Sequence, residues 1–270
     1  MKRLFCTLLL AISVQFLFAN QPYHFSHLSV KDGLSQLNVT CIYQDKLGYI
    51  WFGTRNGLNK FNGNSFEVYW NHADDPHSIS SNIINCMAED AEGNLWIGTE
   101  NGLNRLDKNK NEFKRYHINQ QENKDKNKIT SLCLDQQGTL WVGAASEGLF
   151  AYTPQGDSLK NISTKELKGN WVNDIIERDH KLYIASYNKG LLIYDLQQQA
   201  VVRSFQQNSE SLPIPSNRIR KVHIDRKGNI WLGNDTHGVY VIKHDPAEVV
   251  CYNTRNGLSN NNVRCINESP

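Results

Sequence analysis

The chain has 270 residues, of which 39% are apolar and 21% charged, a composition typical of a globular protein rather than a disordered or fibrous one. Its formal net charge of +2 equals the charge of Lys2 and Arg3, so the rest of the chain carries equal numbers of acidic and basic side chains. Because nucleic-acid binding depends on clustered positive charge, this balance, without a basic run, argues against a nucleic-acid partner.

The first residues are organised like a secretory signal peptide. The basic pair Lys2-Arg3 precedes an apolar stretch at 4–18, and Ala19 offers a small residue for cleavage. An uncleaved anchor is the alternative, but this stretch is shorter than the roughly 20 residues that span a bilayer. We therefore predict a signal peptide at 1–19 and export of the remainder. No other stretch is apolar enough to cross a membrane, so membrane association would come only through regions beyond residue 270.

One segment recurs along the chain with an aromatic anchor, followed in most copies by glycine. Its clearest copies are Gly48-Tyr-Ile-Trp-Phe-Gly-Thr54 and Gly93-Asn-Leu-Trp-Ile-Gly-Thr99. The anchors are spaced by 42 to 48 residues, at Trp51, Trp96, Trp141, Tyr183 and Trp231. A period of this length, built from short apolar strands, is typical of propeller blades.

Each copy divides into four predicted strands, and the first copy shows the pattern. A first strand at 39–43 is followed by an Asp-x-x-Gly turn and by the strand that carries the tryptophan. An Asn56-Gly57 turn then leads into strands at 58–61 and 65–69. Because no segment has a sustained helical period, we predict an all-β fold, a β-propeller of four-stranded antiparallel blades.

An aspartate recurs at the first turn of four copies, where it resembles an array of catalytic acids. Asp side chains commonly accept hydrogen bonds from the backbone just after them in such turns. We therefore interpret these aspartates as structural and predict no catalytic residue among them: Asp45, Asp90, Asp135 and Asp225.

The phase of the repeat predicts how the chain begins and ends. Residues 25–39 align without a gap on 249–263, which run from a fourth strand into the next first strand. The mature chain therefore opens on an orphan fourth strand, and 263–267 begin a sixth repeat. This predicts an incomplete propeller at 20–270, with five complete repeats and partial first and last ones, as the N-terminal part of a longer protein.

Three segments resemble the two-component-regulator propeller repeat: Asp32-Gly-Leu-Ser35, Trp51-Phe-Gly-Thr-Arg-Asn-Gly-Leu-Asn-Lys-Phe61 and Asp90-Ala-Glu-Gly-Asn-Leu-Trp-Ile-Gly-Thr99. The resemblance implies further repeats beyond residue 270, usually in two seven-bladed rings, then a β-sandwich-like domain, a transmembrane helix and a histidine kinase or, less often, a diguanylate cyclase. It also implies a homodimer and an oligosaccharide ligand. It implies no cofactor, and its structural motifs carry over no binding residue.

The cysteines after the predicted cleavage site are five, an odd number that cannot form a complete set of disulfides. Cys41, Cys86 and Cys265 take the same position in different repeats, and equivalent positions are normally too far apart to bridge. We therefore predict that they are small buried apolar side chains. Neither the cysteines nor the histidines have the spacing of metal ligands, so we predict no metal site.

Three aromatic residues outside the repeat pattern are candidate ligand-binding residues. Trp70 falls in a predicted fourth-to-first connection, Trp171 at the entry to a first strand, and Tyr187 in a second-to-third turn, which propeller connectivity places on one face. Exposed aromatic rings can stack on the apolar faces of sugars. The alternative is that they pack against neighbouring blades or a second domain. The polar stretch 108–128 is interpreted as a solvated connection between blades.

We favour a periplasmic sensor module of an inner-membrane regulator, which binds glycan fragments and controls a cytoplasmic kinase without being an enzyme itself. A secreted propeller glycan hydrolase or lyase is a second hypothesis, with Asp74 and Asp75 as its candidate acids. A non-enzymatic protein-interaction propeller is a third.

Overall fold

A computed structural model describes residues 25–118, 127–153, 156–162, 164–210, 212–244 and 247–269. Apart from a 3-10 turn at Val30–Asp32, the elements bounded within these ranges are β-strands. The predicted signal peptide at 1–19 lies outside the described residues. In the part of the chain that is described, no helix is both long and apolar enough to cross a membrane.

The described strands form five four-stranded antiparallel sheets, each made of strands that are consecutive in the chain. This confirms the predicted all-β propeller, and we call the sheets blades 1 to 5. Blade 1 contains β1–β4, at Val39–Gln44, Ile50–Thr54, Gly57–Phe61 and Phe66–Tyr69. Blade 2 contains β5–β8, at Ile84–Glu89, Leu95–Thr99, Gly102–Asp107 and Glu112–Tyr116. Blade 3 contains β9–β12, at Ile129–Leu134, Leu140–Ala144, Gly148–Thr153 and Ser158–Asn161. Blade 4 contains β13–β16, at Val172–Arg178, Lys181–Ser186, Leu191–Asp195 and Ala200–Phe205. Blade 5 contains β17–β20, at Ile219–Ile224, Ile230–Asn234, Val239–Ile242 and Val249–Tyr252.

The first strands of successive blades contact one another in chain order, so they surround the propeller axis. The core lies between blades rather than within one. One buried cluster joins Trp51 and Leu58 of blade 1 to Ile97 and Leu106 of blade 2, and each later pair of blades forms a similar cluster. Each blade therefore buries its apolar faces only by stacking on its neighbours.

The glycine two residues after the tryptophan of the repeat permits this stacking. A Cβ atom on Gly53 would lie 2.8 Å from Ile84 Cγ2 of the next blade, and one on Gly98 would lie 2.6 Å from Ile129 Cγ2. Real Cβ atoms do not approach other atoms so closely, because the repulsion is prohibitive. The Trp-x-Gly motif therefore combines a large buried ring with the close approach of the following blade.

The hydroxyl residue that follows this glycine stabilises the hairpin between the second and third strands of a blade. Thr54 pairs with Gly57 across a two-residue tip, accepts a hydrogen bond from Asn56 N at 3.0 Å and donates to the Gly57 carbonyl at 2.9 Å. Thr99 repeats both bonds in blade 2. In blade 4, the Ser186 hydroxyl accepts from Asn188 N at 3.2 Å, which explains why serine can replace threonine in that copy.

Residues 25–28, the predicted orphan fourth strand, pair with no described strand and Phe25 is 85% exposed, because a fourth strand forms only beside a third strand and no described blade supplies one there. The described cysteines are free thiols, and burial raises the pKa of Cys41 to about 11, as expected of a small buried side chain. Cys265, however, is exposed, since no described strand covers its repeat.

Candidate functional site

The turns between the first and second strands lie at one end of the first strands, which surround the propeller axis and are called the central strands below. We call this end the turn end. In blade 1, Asp45 Oδ1 accepts hydrogen bonds from Leu47 N and Tyr49 N, both at 3.0 Å, which confirms the predicted turn chemistry. Its other oxygen accepts the buried indole N–H of Trp51 at 2.9 Å. The same indole bond recurs at 2.8 to 2.9 Å in Trp96–Asp90, Trp141–Asp135 and Trp231–Asp225. These carboxylates therefore anchor the tryptophans.

An ion-pair network joins blades 1 and 2 at the turn end. Lys108 Nζ lies 2.9 Å from Asp45 Oδ2 and 2.8 Å from Glu89 Oε1, and both carboxylates are almost fully buried. Burial alone would raise the pKa of Asp45, but the hydrogen bonds from Trp51 and Lys108 lower it below its ordinary value. The prediction that 108–128 is solvated is therefore wrong at Lys108, which is held between two carboxylates.

At the opposite end of the central strands, which we call the mouth, each central strand contains a β-bulge. Strand pairing skips one residue in each first strand, between Val39 and Cys41 in blade 1 and at the corresponding place in the other four blades. A bulge leaves its extra residue unpaired and re-aims that side chain. The skipped residues are Thr40, Asn85, Thr130, Asn173 and Arg220, and Arg264 follows Val263 at the same position of the sixth repeat. We call these six residues the mouth ring.

Four members of the mouth ring fasten each blade to the next. Thr40 Oγ1 donates to the Ile84 carbonyl at 2.6 Å, and Asn85 Nδ2 donates to the Ile129 carbonyl at 2.8 Å. The hydroxyl of Thr130 and the amide of Asn173 make the same contact, with the carbonyls of Val172 and Ile219. The bulges thus direct polar side chains to donate hydrogen bonds to the backbone carbonyls of the neighbouring central strand.

The mouth ring lines a pocket of about 330 Å³ together with Lys128 and Trp171. Three of its lining residues are cationic, Lys128, Arg220 and Arg264, and none of the described lining residues carries a carboxylate. The pocket size falls within the range of small-molecule sites. It combines neutral donors, guanidinium groups and one indole, which suits recognition of a polar ligand with a flat face.

The structure brings two of the three predicted aromatic residues together. Trp171 is 39% exposed at the pocket, and the centroid of the Tyr187 ring lies 5.8 Å from that of Trp171. Tyr187 N also donates to the Trp171 carbonyl at 3.0 Å, and the Arg218 guanidinium lies 5.3 Å from the Tyr187 ring centroid. Tyr187 therefore packs against Trp171 and contributes to the position of the indole.

Trp70 lies elsewhere. It is 43% exposed and packs beside the Gly57 turn of blade 1, where a Cβ atom on Gly57 would lie 3.2 Å from Trp70 Nε1. It does not line the mouth pocket. The candidate acids of the enzyme hypothesis lie in the connection that follows Trp70, where Asp75 Oδ1 accepts the His77 N–H at 2.9 Å in a turn. Within the described residues, no group of three or more His, Cys, Asp or Glu side chains is arranged to hold a metal ion.

Sequence reasoning missed the mouth ring, although the repeats contain a signal for it. Aligned copies read Val-Thr-Cys, Ile-Asn-Cys, Ile-Thr-Ser, Val-Asn-Asp, Ile-Arg-Lys and Val-Arg-Cys, so a polar residue follows the first apolar residue every time. An alternating strand would place that residue on one face of the sheet. The bulge that directs this residue to the mouth is seen only in the register between the first and second strands of the blade.

Comparison with known proteins gives consistent matches. The two component regulator propeller family matches residues 33–56, 78–101, 124–146 and 213–236, and the repeat anchored by Tyr183 is not among them. A histidine kinase of Formosa agariphila is 48% identical over 71 residues, which make up 26% of this chain and 5% of the kinase.

Two solved structures from B. thetaiotaomicron share the fold. The extracellular domain of a hybrid two component system is 25% identical with a TM-score of 0.63, covering 92% of this chain and 39% of that domain. The extracellular domain of a one component system is 20% identical with a TM-score of 0.68, covering 87% and 34%. This chain thus spans well under half of each of these proteins. Four repeats of this chain thus match the two component regulator propeller model, and its fold is similar to that of extracellular domains of two component systems.

Proposed function

We propose that this chain is the periplasmic sensor region of a membrane-bound two-component regulator, where it binds glycan fragments and controls a cytoplasmic histidine kinase. The observation that carries the proposal is the mouth pocket, in which a partly exposed indole and the mouth ring converge. The histidine kinase among its relatives and the extracellular location of the similar domains support the placement of the chain outside the cytoplasm.

The mouth pocket offers a way to couple binding to signalling. Its lining residues come from every described blade and from the sixth repeat, so one ligand contacts several repeats at once. A ligand shifts an equilibrium between two arrangements only if it binds one of them more tightly. A ligand across the mouth would favour the arrangement that brings these side chains together, and a homodimer would pass that preference through the membrane.

The enzyme hypothesis receives less support at this pocket. Glycoside hydrolysis commonly needs two carboxyl groups that face each other across the scissile bond. The described lining of the mouth pocket supplies none, and Asp75 is engaged in a turn. A protein-interaction propeller remains the third candidate, which the same experiment separates from a sensor.

The test is ligand-dependent phosphorylation of the full-length protein in membrane vesicles, assayed with a panel of purified oligosaccharides from plant and algal polysaccharides. We expect one class of oligosaccharide to change kinase phosphorylation. Trp171→Ala should raise the half-maximal concentration about tenfold, because it removes the stacking ring, whereas Trp171→Phe should retain most of the response.

Trp70→Ala is the matched comparison, since both tryptophans are similarly exposed and only Trp171 lines the pocket. A role for Trp70 in ligand binding stays a prediction, and we expect the smaller effect there. Cleavage of an oligosaccharide without any change in phosphorylation would favour the enzyme. No response to any glycan, combined with capture of a specific protein partner, would favour the interaction module.

A further inference from the structure

The members of the mouth ring differ in charge. The first four are Thr or Asn and use their donors to fasten the next blade. The last two are Arg220 and Arg264. Arg220 makes no such bond to the next repeat in the described structure. Its Nη2 lies 3.1 Å from Asp235 Oδ2, in the turn between β18 and β19 of its own blade. The ring therefore changes from a fastening element to an exposed cationic one.

Asp235 fixes the Arg220 guanidinium from behind. Its side chain is only 12% exposed, while that of Arg220 is 44% exposed. A guanidinium has five N–H donors in one plane, and the contact with Asp235 uses one nitrogen. The remaining donors of Arg220 are thus free to face the pocket it lines, in an orientation already set by the carboxylate.

The other two cations of the lining differ in whether they are paired. Lys128 is paired 2.8 Å from Glu100, which does not line the pocket. Arg264 is exposed and makes no hydrogen bond or ion pair with the described residues. Guanidinium groups bind carboxylate and sulfate oxygens through two parallel hydrogen bonds, which a neutral hydroxyl cannot match.

We propose that the mouth pocket takes an acidic glycan fragment, in which a carboxylate or sulfate group is bound by Arg220 and Arg264 while a sugar ring stacks on Trp171. The proposal rests on the proposed sensory function for the glycan part and adds the charge of the ligand. The four neutral members of the ring, from Thr40 to Asn173, carry no charge and each donates to the next blade, so the acid group lies at the two arginines.

The experiment is calorimetric titration of the complete extracytoplasmic region with digalacturonate, with the neutral disaccharide galactobiose, and with galactose 6-sulfate. Digalacturonate and galactobiose differ only in the oxidation of C6, so their comparison isolates the acid group. We expect an acidic probe to bind at least about tenfold more tightly than galactobiose, with an affinity that falls as salt is raised. The sulfated probe distinguishes which of the two acid groups is preferred.

Arg264→Gln is the informative variant, because Arg264 is exposed and makes no hydrogen bond or ion pair with the described residues. It should weaken binding of the acidic probe about tenfold and leave galactobiose unchanged. Lys227→Gln is the matched control: it removes the same charge from an exposed position in the Asp225 turn, at the turn end. Arg220→Lys keeps the charge but loses the paired geometry, and should fall between wild type and Arg264→Gln.

The outcomes separate this proposal from the sensory function. If galactobiose binds as tightly as digalacturonate, or if Arg264→Gln and Lys227→Gln weaken binding equally, the acidic ligand class is wrong although a glycan sensor remains. If the acidic probe binds through Arg264 but never changes kinase phosphorylation, the anion site stands and the sensory function fails. If neither acidic probe binds, the proposal is overturned.

Discussion

The two ends of the central strands use the repeat in opposite ways. At the turn end, every copy with a tryptophan anchor has an aspartate six residues earlier, and each pair makes the same indole hydrogen bond. At the mouth, the backbone bulge is repeated while the side chain changes from threonine to asparagine to arginine. Identical chemistry in successive copies therefore marks a structural role. At the mouth, the four Thr and Asn members fasten neighbouring blades, and the two arginines, which make no such bond in the described structure, are the members available for a ligand.

The largest effect that sharpens this comparison is expected at the turn end. Asp135→Ala removes an acceptor of Gln137 N, Thr139 N and the buried Trp141 indole, at 2.8 to 2.9 Å. A buried indole N–H without an acceptor is costly, so we expect a loss of about 3 kcal/mol in the free energy of unfolding. Urea denaturation followed by tryptophan fluorescence would measure it.

Asp195→Ala is the matched control for that change. Asp195 Oδ1 also accepts two backbone N–H groups, from Gln197 and Gln198 at 2.9 Å, but in an exposed turn without an indole. We expect a loss of only about 1 kcal/mol, because water can replace the carboxylate there. Equal losses in the two variants would show that the indole bond contributes little to the stability of the turn end.

The sequence predicted the turn end better than the mouth. The strands and the Asp-x-x-Gly turns follow from local patterns. The indole bond was missed, although the fourth copy lacks both partners, with Tyr183 as its anchor and Glu177 six residues earlier. This paired loss within one chain was a signal that the aspartate and the tryptophan act together.

Non-local contacts explain the other differences. Lys108 reaches Asp45 across 63 residues of sequence, so its polar neighbourhood at 108–128 gave no indication of a buried ion pair. The bulge that aims Arg220 depends on how β17 pairs with β18, which the sequence of β17 alone does not determine. Topology alone placed Trp171 and Tyr187 on the same face, but it did not indicate the mouth ring beside Trp171.

Substitutions at two positions of the mouth ring are expected to have smaller effects on the free energy of unfolding. Asn85→Ala removes the bond from Asn85 Nδ2 to the Ile129 carbonyl that joins blades 2 and 3. We expect the free energy of unfolding to fall by about 1 kcal/mol, the usual net contribution of one such bond. Arg264→Ala should change it by less than about 0.5 kcal/mol, because this substitution removes no hydrogen bond or ion pair of the described structure. A loss in Arg264→Ala as large as that in Asn85→Ala would mean that the arginine members of the ring are structural as well.

A pH dependence is expected at the turn end of blade 5. Burial alone would raise the pKa of Asp225, but hydrogen bonds from the Trp231 indole and from Asn229 lower it to about 2. Since the folded pKa lies below the unfolded value of about 3.9, Asp225 stabilises the fold fully above that value and loses its contribution as the pH falls towards 2.

NMR titration of the Asp225 carboxyl carbon would measure the pKa directly. Trp231→Phe should move that pKa upward, because the indole donor is gone and the desolvation remains. Asp157, whose pKa is also about 2 because of Lys114 and Tyr116, makes no bond to Trp231 and should titrate unchanged in the same sample. A pKa for Asp225 that stays near 2 in Trp231→Phe would assign its stabilisation to the turn amides rather than to the indole.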